Sequence, residues 1–166
     1  MGCYILYIYK SISQEKTYEL ACRLGKMLQG GELIALEGEL GAGKTLFVKG
    51  LAQGLGIEEP VTSPTFTLLQ LYEGRVNLAH FDIYRLPVPE AIEELGYEEY
   101  FYGSGVTAVE WSDLIKAYLP EQYIQVVIRR DYDQEQGEYR LITFIPHGEQ
   151  MDILIEELGK NAGAGN

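Results

Sequence analysis

Apolar and polar residues along the first third of the chain are spaced as in an α/β domain. Apolar positions recur with a helical period between Ser11 and Gln29, and Ser13 can cap the predicted helix. A short apolar run, Leu33–Leu36, predicts a buried strand, and a second helical pattern follows from Lys44 to Leu55. The apolar and aromatic start of the chain, Met1–Tyr9, predicts an edge strand.

The rest of the chain is predicted to combine strand pairs with short helices. Phe66–Tyr72 and Val76–Tyr84 are separated by only three residues, which predicts an antiparallel hairpin. Tyr123–Arg130 and Tyr139–Pro146 alternate in polarity around a turn at Gly137 and predict two more strands. The other predicted elements are a surface helix in Glu90–Tyr100, a buried strand at Val106–Val109, a helix from Ser112 or Asp113 to Leu119, and an amphipathic helix at Met151–Leu158.

The domain organisation follows from this pattern. The 166 residues suffice for one domain with an ordinary core. No internal repeat or linker interrupts residues 1–158, and the Gly-rich residues 159–166 are predicted to be a disordered tail. Since a hairpin stands beside buried strands, we expect an α/β fold whose sheet is mixed parallel and antiparallel.

Charge and composition exclude some functions. The chain carries 25 acidic and 13 basic residues, a net charge of −12. Affinity for nucleic acid comes mostly from Lys and Arg, and the longest basic cluster is the pair Arg129–Arg130, so gripping RNA or DNA is not expected to be the primary role. No apolar run reaches the length of about 18 residues that crosses a membrane. The two cysteines form neither a metal spacing nor a disulfide framework, which favours a cytoplasmic location.

The clearest chemical motif follows the buried strand. Its residues fit the pattern G-x-x-x-x-G-K-[ST] of a phosphate-binding loop (Walker A). Glycines let backbone N–H groups turn towards phosphate oxygens, and the helix that follows offers its positive end to the same anion. Lys44 is predicted to reach the β- and γ-phosphates of a nucleoside triphosphate, and the Thr45 hydroxyl to be a ligand of Mg²⁺. The predicted nucleotide-binding residues of the loop are Gly38, Glu39, Leu40, Gly41, Ala42, Gly43, Lys44, Thr45 and Leu46.

Two carboxylates at strand ends are candidates for the remaining chemistry. Asp82 ends the apolar run Leu78–Phe81 and is either a Walker B acid or a cap of the next turn. Glu110 directly follows the predicted strand Val106–Val109 and either faces the metal and water or is an ordinary exposed residue. His80 is expected to be a half-buried strand residue, because no cysteine or second histidine stands near it to bind zinc.

Two further polar stretches remain open from local sequence. The hydroxyl-bearing segment at residues 62–65 either orders on a γ-phosphate or forms a plain turn. Trp111, the one tryptophan, is by pattern alone a packing residue.

Four segments in this order resemble the TsaE family, formerly called YjeE. They are GELGAGKT at Gly38–Thr45, TSPTFTL at Thr62–Leu68, HFDIYRL at His80–Leu86 and VEW at Val109–Trp111. The resemblance spans about Ser13–Asp113 and implies a single three-layer domain of the P-loop NTPase type.

The resemblance also implies a biochemical role. Members of the family are small bacterial ATPases that use Mg²⁺ and work with the proteins TsaB and TsaD. Together they make threonylcarbamoyladenosine, the modified adenosine beside the anticodon of tRNA. TsaD with TsaB carries out the transfer to tRNA, and ATP hydrolysis by TsaE lets the cycle continue. Because the chain is acidic, we expect it to have no strong direct affinity for tRNA.

Residue roles carried over from the family complete the predicted site. Lys44, Asp82 and Glu110 would be catalytic, and Thr45 with Glu110 would hold Mg²⁺. Trp111 would lie beside the nucleotide. The remaining carried-over positions are Gln14 and Thr17, near the adenine, and Thr62, Ser63, Pro64 and Thr65, as a switch-like loop.

Two alternatives belong to other classes. A small-molecule or nucleoside kinase would need an arginine-rich lid, whereas Arg75, Arg85 and the pair Arg129–Arg130 form no such cluster. An ATP-gated adaptor would bind nucleotide without significant turnover. A GTPase is disfavoured because the guanine-reading N-K-x-D motif is absent. Arg85 is the one in-chain candidate to neutralise the transferring phosphoryl group, so hydrolysis is expected to be slow alone and stimulated by partners.

Overall fold

The computed structural model describes residues 6–64 and 66–162, so the predictions for residues 1–5, Thr65 and residues 163–166 lie outside the described residues. Its strands are β1 (Tyr7–Ser11), β2 (Leu33–Glu37), β3 (Leu69–Tyr72), β4 (Leu78–Asp82), β5 (Val106–Glu110), β6 (Tyr123–Asp133) and β7 (Gly137–His147). Its helices are α1 (Gln14–Met27), α2 (Lys44–Gly54), α3 (Tyr97–Phe101) and α4 (Glu149–Asn161), with 3₁₀ helices at Pro89–Leu95 and Ser112–Tyr118.

The strands form one mixed sheet in the order β1-β7-β6-β2-β5-β4-β3. Strand β2 pairs in parallel with β5 and β6, and β4 pairs in parallel with β5. The pairs β3–β4, β6–β7 and β1–β7 are antiparallel. The predicted mixed sheet and the predicted antiparallel hairpin are therefore confirmed. Within the described part of the chain, no helix combines the length and apolar character needed to span a bilayer.

Helices cover both faces of the sheet and make a three-layer domain. Because side chains alternate along a strand, Ile34 and Leu36 of β2 enter the core under α1, α2 and α4. Leu33 and Ala35 enter a second core on the opposite face, which Phe101 of α3 and residues of both 3₁₀ helices complete.

The same alternation decides where the polar strand residues lie. On β4, Leu78 belongs to the core under α2, so His80 and Asp82 share its face. On β5, Ala108 belongs to that core, so Glu110 lies on the α2 face as well. These polar residues therefore lie beneath the helix that follows the phosphate loop, with Asp82 and Glu110 at the carboxyl ends of their strands and His80 in the middle of β4.

Several elements differ from the predicted bounds for identifiable local reasons. Strand β3 begins three residues later than predicted because the chain turns at Leu68, whose φ is 64° and whose N–H donates to the Pro64 carbonyl at 2.7 Å. The predicted surface helix divides at Gly96, also with a φ of 64°, into a 3₁₀ helix and α3. The predicted cap at Ser13 is confirmed, since its hydroxyl accepts from the Lys16 N–H at 3.1 Å.

Glycines allow α1 and α2 to pack with their backbones in contact. A Cβ atom at Gly50 would lie 2.4 Å from the Tyr18 carbonyl oxygen, and one at Gly54 would lie 2.3 Å from that of Cys22. A Cβ at Gly25 would lie 2.3 Å from the Leu51 oxygen. Because each of these contacts would be with a backbone atom, no movement of a side chain could relieve it. This close packing fixes α2, and with it the end of the phosphate loop.

We expect the substitution Gly54→Ala to destabilise the protein by about 1–3 kcal/mol, the usual cost of forcing extra volume into a packed contact. In an unhindered helix the same change stabilises by about 0.5–1 kcal/mol. Gly159→Ala in α4 is the matched control, since its Cβ would first meet a ring carbon of Tyr7 at 3.3 Å. Urea unfolding measures the stability of both variants. A urea midpoint for Gly54→Ala at or above that of the wild type would contradict the packing argument.

Candidate nucleotide-binding site

The phosphate loop connects β2 to α2 in a conformation that requires glycine. Gly41 and Gly43 have φ angles of 78° and 117°, in the left-handed region. At Gly38 a Cβ atom would lie 2.6 Å from the Ile128 carbonyl oxygen of β6. Because α2 begins at Lys44, directly after Gly43, the first N–H groups of the helix lie at the loop. The positive end of this helix makes the loop suitable for a phosphate group.

Lys44 is buried within the site, with only 5% of its surface exposed. Its Nζ donates hydrogen bonds to the carbonyl oxygens of Gly38 and Glu39, the second at 2.9 Å. The same nitrogen lies 3.9 Å from the centroid of the Trp111 ring. The ammonium group is thus held inside the curve of the loop, where the sequence predicted it to meet phosphate oxygens.

The electrostatic setting of Lys44 has two opposing parts. Burial lowers the pKa of the Lys44 ammonium, while the nearby carboxylates of Glu110, Asp82 and Asp113 raise it. The net direction is downward, which shows that loss of hydration outweighs the attraction of the carboxylates. An ammonium with few waters interacts strongly with an anionic group that enters its cavity.

Thr45, Glu110 and His80 form a chain of hydrogen bonds across α2, β5 and β4. The Thr45 hydroxyl lies 2.9 Å from Oε1 and 3.1 Å from Oε2 of Glu110 and donates to this carboxylate. On its other side, Oε2 lies 2.6 Å from His80 Nε2. Glu110 is 2% exposed, so the alternative that it is an ordinary exposed residue is wrong. The prediction of a half-buried His80 is also wrong, because α2 covers its face of β4 and leaves it 0% exposed.

Asp82 lies beside Glu110, as its direct partner in the register of β4 and β5. Oδ1 of Asp82 accepts from the Tyr84 N–H at 3.2 Å, which is the turn cap considered in the sequence. Oδ2 accepts from the Ser63 hydroxyl at 3.2 Å. Asp82 therefore combines a local cap with a contact to the segment that was predicted to be switch-like.

The donor set suits Mg²⁺ that arrives with a nucleotide. The Thr45 hydroxyl and the carboxylates of Glu110 and Asp82 are oxygen ligands at one edge of the sheet. Across residues 6–64 and 66–162 there is no group of three or more His, Cys, Asp or Glu side chains that could hold a metal. Mg²⁺ in proteins commonly takes one or two carboxylates and completes its shell with phosphate oxygens and waters. The residues present fit that arrangement and do not resemble a site that holds a metal with protein atoms alone.

Trp111 lines this site in an unusual backbone conformation. Its φ is 64°, in the left-handed region that non-glycine residues rarely adopt. The hydroxyl of the next residue, Ser112, donates to the Leu36 carbonyl of β2 at 3.2 Å and holds the turn. The Trp111 ring packs against Tyr84, with 4.7 Å between the ring centroids. Strain of this kind is common at binding sites, where surrounding contacts maintain it.

Two cavities meet at the phosphate loop, and both are bordered by Gly41, Gly43 and Leu46. The first, of about 400 Å³, lies towards the carboxylates; its other lining residues are Leu40, Lys44, Thr45, Ser63, Asp82, Tyr84, Arg85, Glu110 and Trp111. The second, of about 280 Å³, lies towards the start of α1; its other lining residues are Ser11, Ile12, Ser13, Gln14, Ala42, Glu138, Tyr139 and Arg140.

The two residues predicted near the adenine differ in their placement. Gln14 is exposed and lines the smaller cavity. Thr17 is buried, and its hydroxyl lies 2.6 Å from the Ser11 hydroxyl, which also donates to the Ser13 carbonyl. Thr17 therefore supports the wall of the cavity from behind, and only Gln14 of this pair borders it.

The segment predicted to be switch-like is described up to Pro64. The buried Tyr72 holds it, because the Tyr72 hydroxyl accepts from the Thr62 N–H at 3.2 Å. Ser63 bonds to Asp82 as described above, and Pro64 is buried. The described part of this segment is thus anchored to β3 on one side and to the site on the other.

Residues of the β6–β7 hairpin also approach the loop, a contact that the sequence did not predict. Arg140 Nε donates to the Ala42 carbonyl oxygen at 2.8 Å, and the same guanidinium pairs with Glu138. Arg130 is the direct partner of Arg140 in the antiparallel register. The hairpin pattern in the sequence was the available signal, since pairing across it brings these two positions together.

The chain matches known proteins over most of its length. The family model described as "Threonylcarbamoyl adenosine biosynthesis protein TsaE" matches residues 11–139. The tRNA threonylcarbamoyladenosine biosynthesis protein TsaE of Bacillus subtilis (strain 168) is 42% identical over 159 residues, covering 95% of this chain and 97% of that protein. The protein of the same name from Treponema pallidum (strain Nichols) is 45% identical over 119 residues, covering 72% of this chain and 88% of that protein. The crystal structure of Bacillus subtilis YdiB has a TM-score of 0.80 and 36% sequence identity, covering 97% of this chain and 99% of that one.

Proposed function

The chain belongs to the TsaE family, and from that membership and the geometry of the site we propose that it is a Mg²⁺-dependent ATPase. It acts with TsaB and TsaD in forming the threonylcarbamoyl group on the adenosine beside the anticodon of tRNA. The related proteins named above carry tRNA threonylcarbamoyladenosine biosynthesis in their names, which supports this pathway. The cytoplasm, where tRNA is modified, is the proposed location.

One observation carries the ATPase proposal. A phosphate loop, its buried lysine and two buried carboxylates border one cavity of about 400 Å³. A ligand with several negative charges suits a helix N-terminus and an ammonium on one side. The carboxylates on the other side then require a cation between them and the phosphates. The triphosphate of ATP with bound Mg²⁺ meets both requirements.

Each residue of the site has a distinct task in hydrolysis. Water attacks the γ-phosphorus, the bond to the β,γ-bridging oxygen breaks, and ADP and phosphate leave. Lys44 stabilises charge on the phosphoryl oxygens, and Asp82 orients the water from its place beside Glu110. Thr45 and Glu110 would hold Mg²⁺, which supplies further positive charge at the β- and γ-phosphates.

The positions of the arginines favour hydrolysis over transfer to a second substrate. The Arg75 guanidinium donates to the carbonyl oxygens of Leu28 and Gly25 at the end of α1, both at 3.0 Å. It also donates to the Gly54 carbonyl oxygen at the end of α2, at 3.3 Å, and so holds the ends of two helices together. Arg140 is bound to the phosphate loop itself. Neither is placed in a lid that could close over a phosphoryl acceptor and exclude water.

We expect the isolated protein to hydrolyse ATP slowly and the TsaB–TsaD pair to accelerate it by about tenfold or more. Arg85 borders the cavity, but its guanidinium carbon lies over the Phe66 ring at 4.9 Å from the centroid. A partner can speed the reaction by releasing this arginine, by supplying another cation, or by ordering the segment near Ser63. Steady-state phosphate release with and without the purified pair measures the effect.

The same experiment separates the alternatives. Direct mass analysis of products distinguishes hydrolysis from transfer to a small molecule. ATP binding and complex formation without phosphate release at any partner concentration would favour the ATP-gated adaptor. A filter-binding control with tRNA alone should show negligible retention at physiological salt, because the net charge of −12 opposes it.

A further inference from the structure

His80 is a fully buried polar residue for which the proposed mechanism has no task. It lies in the middle of β4, between Ala79 and Phe81, with 0% of its surface exposed. Its Nε2 lies 2.6 Å from Oε2 of Glu110. Among the described residues, its Nδ1 is a buried nitrogen without a hydrogen-bond partner.

The geometry selects one tautomer of the ring. With the proton on Nε2, the ring donates to the Glu110 carboxylate and leaves only a lone pair at Nδ1 without a partner. With the proton on Nδ1, a buried N–H would have no acceptor and a lone pair would face the carboxylate. The second arrangement is the costlier one, so His80 donates to Glu110 through Nε2.

Burial of Nδ1 without a hydrogen-bond partner has a free-energy cost, which another contact of His80 must offset. An aliphatic residue, such as the Leu78 that precedes it on the same face, would pack against α2 with no polar atom left alone. Burial of an unpartnered ring nitrogen costs free energy, so the contact that offsets it is the bond to Glu110. This bond and the one from Thr45 reach the carboxylate from two different elements and fix the plane of its oxygens.

We propose that His80 is a positioning residue that holds the Glu110 carboxylate in the orientation needed to bind the divalent cation of the nucleotide complex. The proposal rests on the ATPase function proposed above. The Glu110 carboxylate contacts the Thr45 hydroxyl through both oxygens and His80 through Oε2, so it is held in one orientation. A carboxylate held in this way offers a defined direction to a cation, as partners behind metal ligands generally do. His80 itself touches neither nucleotide nor metal in this role.

Two variants of the full-length protein separate positioning from packing. In His80→Gln the amide nitrogen lies the same number of bonds from Cα as Nε2, so the donor to Glu110 is kept. In His80→Asn the amide nitrogen corresponds to Nδ1 and cannot reach Glu110. Both variants place an amide in the same buried position, so they share the cost of burial and differ in the donor.

The measured quantity is the affinity of the protein–ADP complex for Mn²⁺, followed by the electron paramagnetic resonance signal of free Mn²⁺. We expect the dissociation constant to rise about 10–100-fold in His80→Asn and to stay near the wild-type value in His80→Gln. Calorimetric affinity for ADP in EDTA should be equal in all three proteins, because the phosphate loop is unchanged. Loss of the hydrogen-bond donor at residue 80 is therefore expected to weaken metal binding and to leave nucleotide binding unchanged.

Each outcome has one meaning. Wild-type Mn²⁺ affinity in His80→Asn, or an equal loss in His80→Gln, would overturn the positioning role even if ATP is hydrolysed normally. Weaker Mn²⁺ binding in His80→Asn but not in His80→Gln, together with a wild-type protein that releases no phosphate, would support the positioning role and contradict the ATPase proposal. If His80→Asn does not fold, His80→Leu replaces it with the same expected loss. If neither His80→Asn nor His80→Leu folds while His80→Gln does, the proposal is overturned and the role of His80 is structural.

Discussion

Lys44→Ala is expected to lower kcat/KM for ATP hydrolysis by about 10²–10³-fold, the usual cost of removing one preorganised charge donor from a reacting anion. Lys44 is 5% exposed and is held by two carbonyl oxygens of the loop, so its ammonium has little freedom to leave the site. A group fixed in advance loses little on binding, and its whole electrostatic effect acts on the developing charge. Phosphate release at saturating Mg²⁺ is the measurement.

Lys49→Ala provides a matched control for this prediction. Lys49 lies on the same helix as Lys44 but is exposed to solvent, so the change removes equal charge from α2. We expect near-wild-type hydrolysis in the control and an unchanged circular dichroism spectrum in both variants. Equal rates for Lys44→Ala and Lys49→Ala would mean that the loop does not bind the reacting phosphate.

Glu110→Gln is expected to reduce hydrolysis at a fixed Mg²⁺ concentration by about 100-fold or more, because a metal ligand is worth several kcal/mol to the transition state. The amide has nearly the same shape as the carboxylate but has lost the negative charge that faces Thr45 and His80. Affinity for ADP in EDTA should remain, since the backbone of the loop makes those contacts. Phosphate release and calorimetry together measure the two effects.

Asp113→Asn tests whether any negative charge near the loop would serve as well. Asp113 is close enough to affect the pKa of Lys44 but is itself exposed. Solvent screens such a charge, so we expect a change of about threefold or less. A loss in Asp113→Asn as large as that in Glu110→Gln would indicate a general field effect, not a ligand at residue 110.

The sequence was sufficient for those parts of the site that lie within one short segment. The phosphate loop could be predicted because strand, glycines, Lys44 and Thr45 follow one another without interruption. The strand ends at Asp82 and Glu110 were also visible, since each follows an apolar run. Their common face could be inferred from the alternation along a strand once the face covered by α2 is known.

Contacts between distant segments could not be predicted from the sequence, for a physical reason. The bond between His80 and Glu110, which are 30 positions apart in the chain, depends on β4 and β5 being neighbours in a particular register, and local sequence does not specify that register. The contact of Arg140 with Ala42 depends on the strand order that places the β6–β7 hairpin beside β2. In both cases the local pattern gave the strands correctly and left their arrangement undetermined.

The placement of Trp111 gives the protein an optical reporter of its own. The chain has one tryptophan among 13 tyrosines, and its indole lies 3.9 Å from the ammonium of Lys44. Excitation at the red edge of indole absorption avoids the tyrosines, so the emission arises from this one position. A charge that moves over the ring alters the energy of its excited state. Intrinsic fluorescence of the isolated protein can therefore follow the occupation of the phosphate loop in real time, without labels.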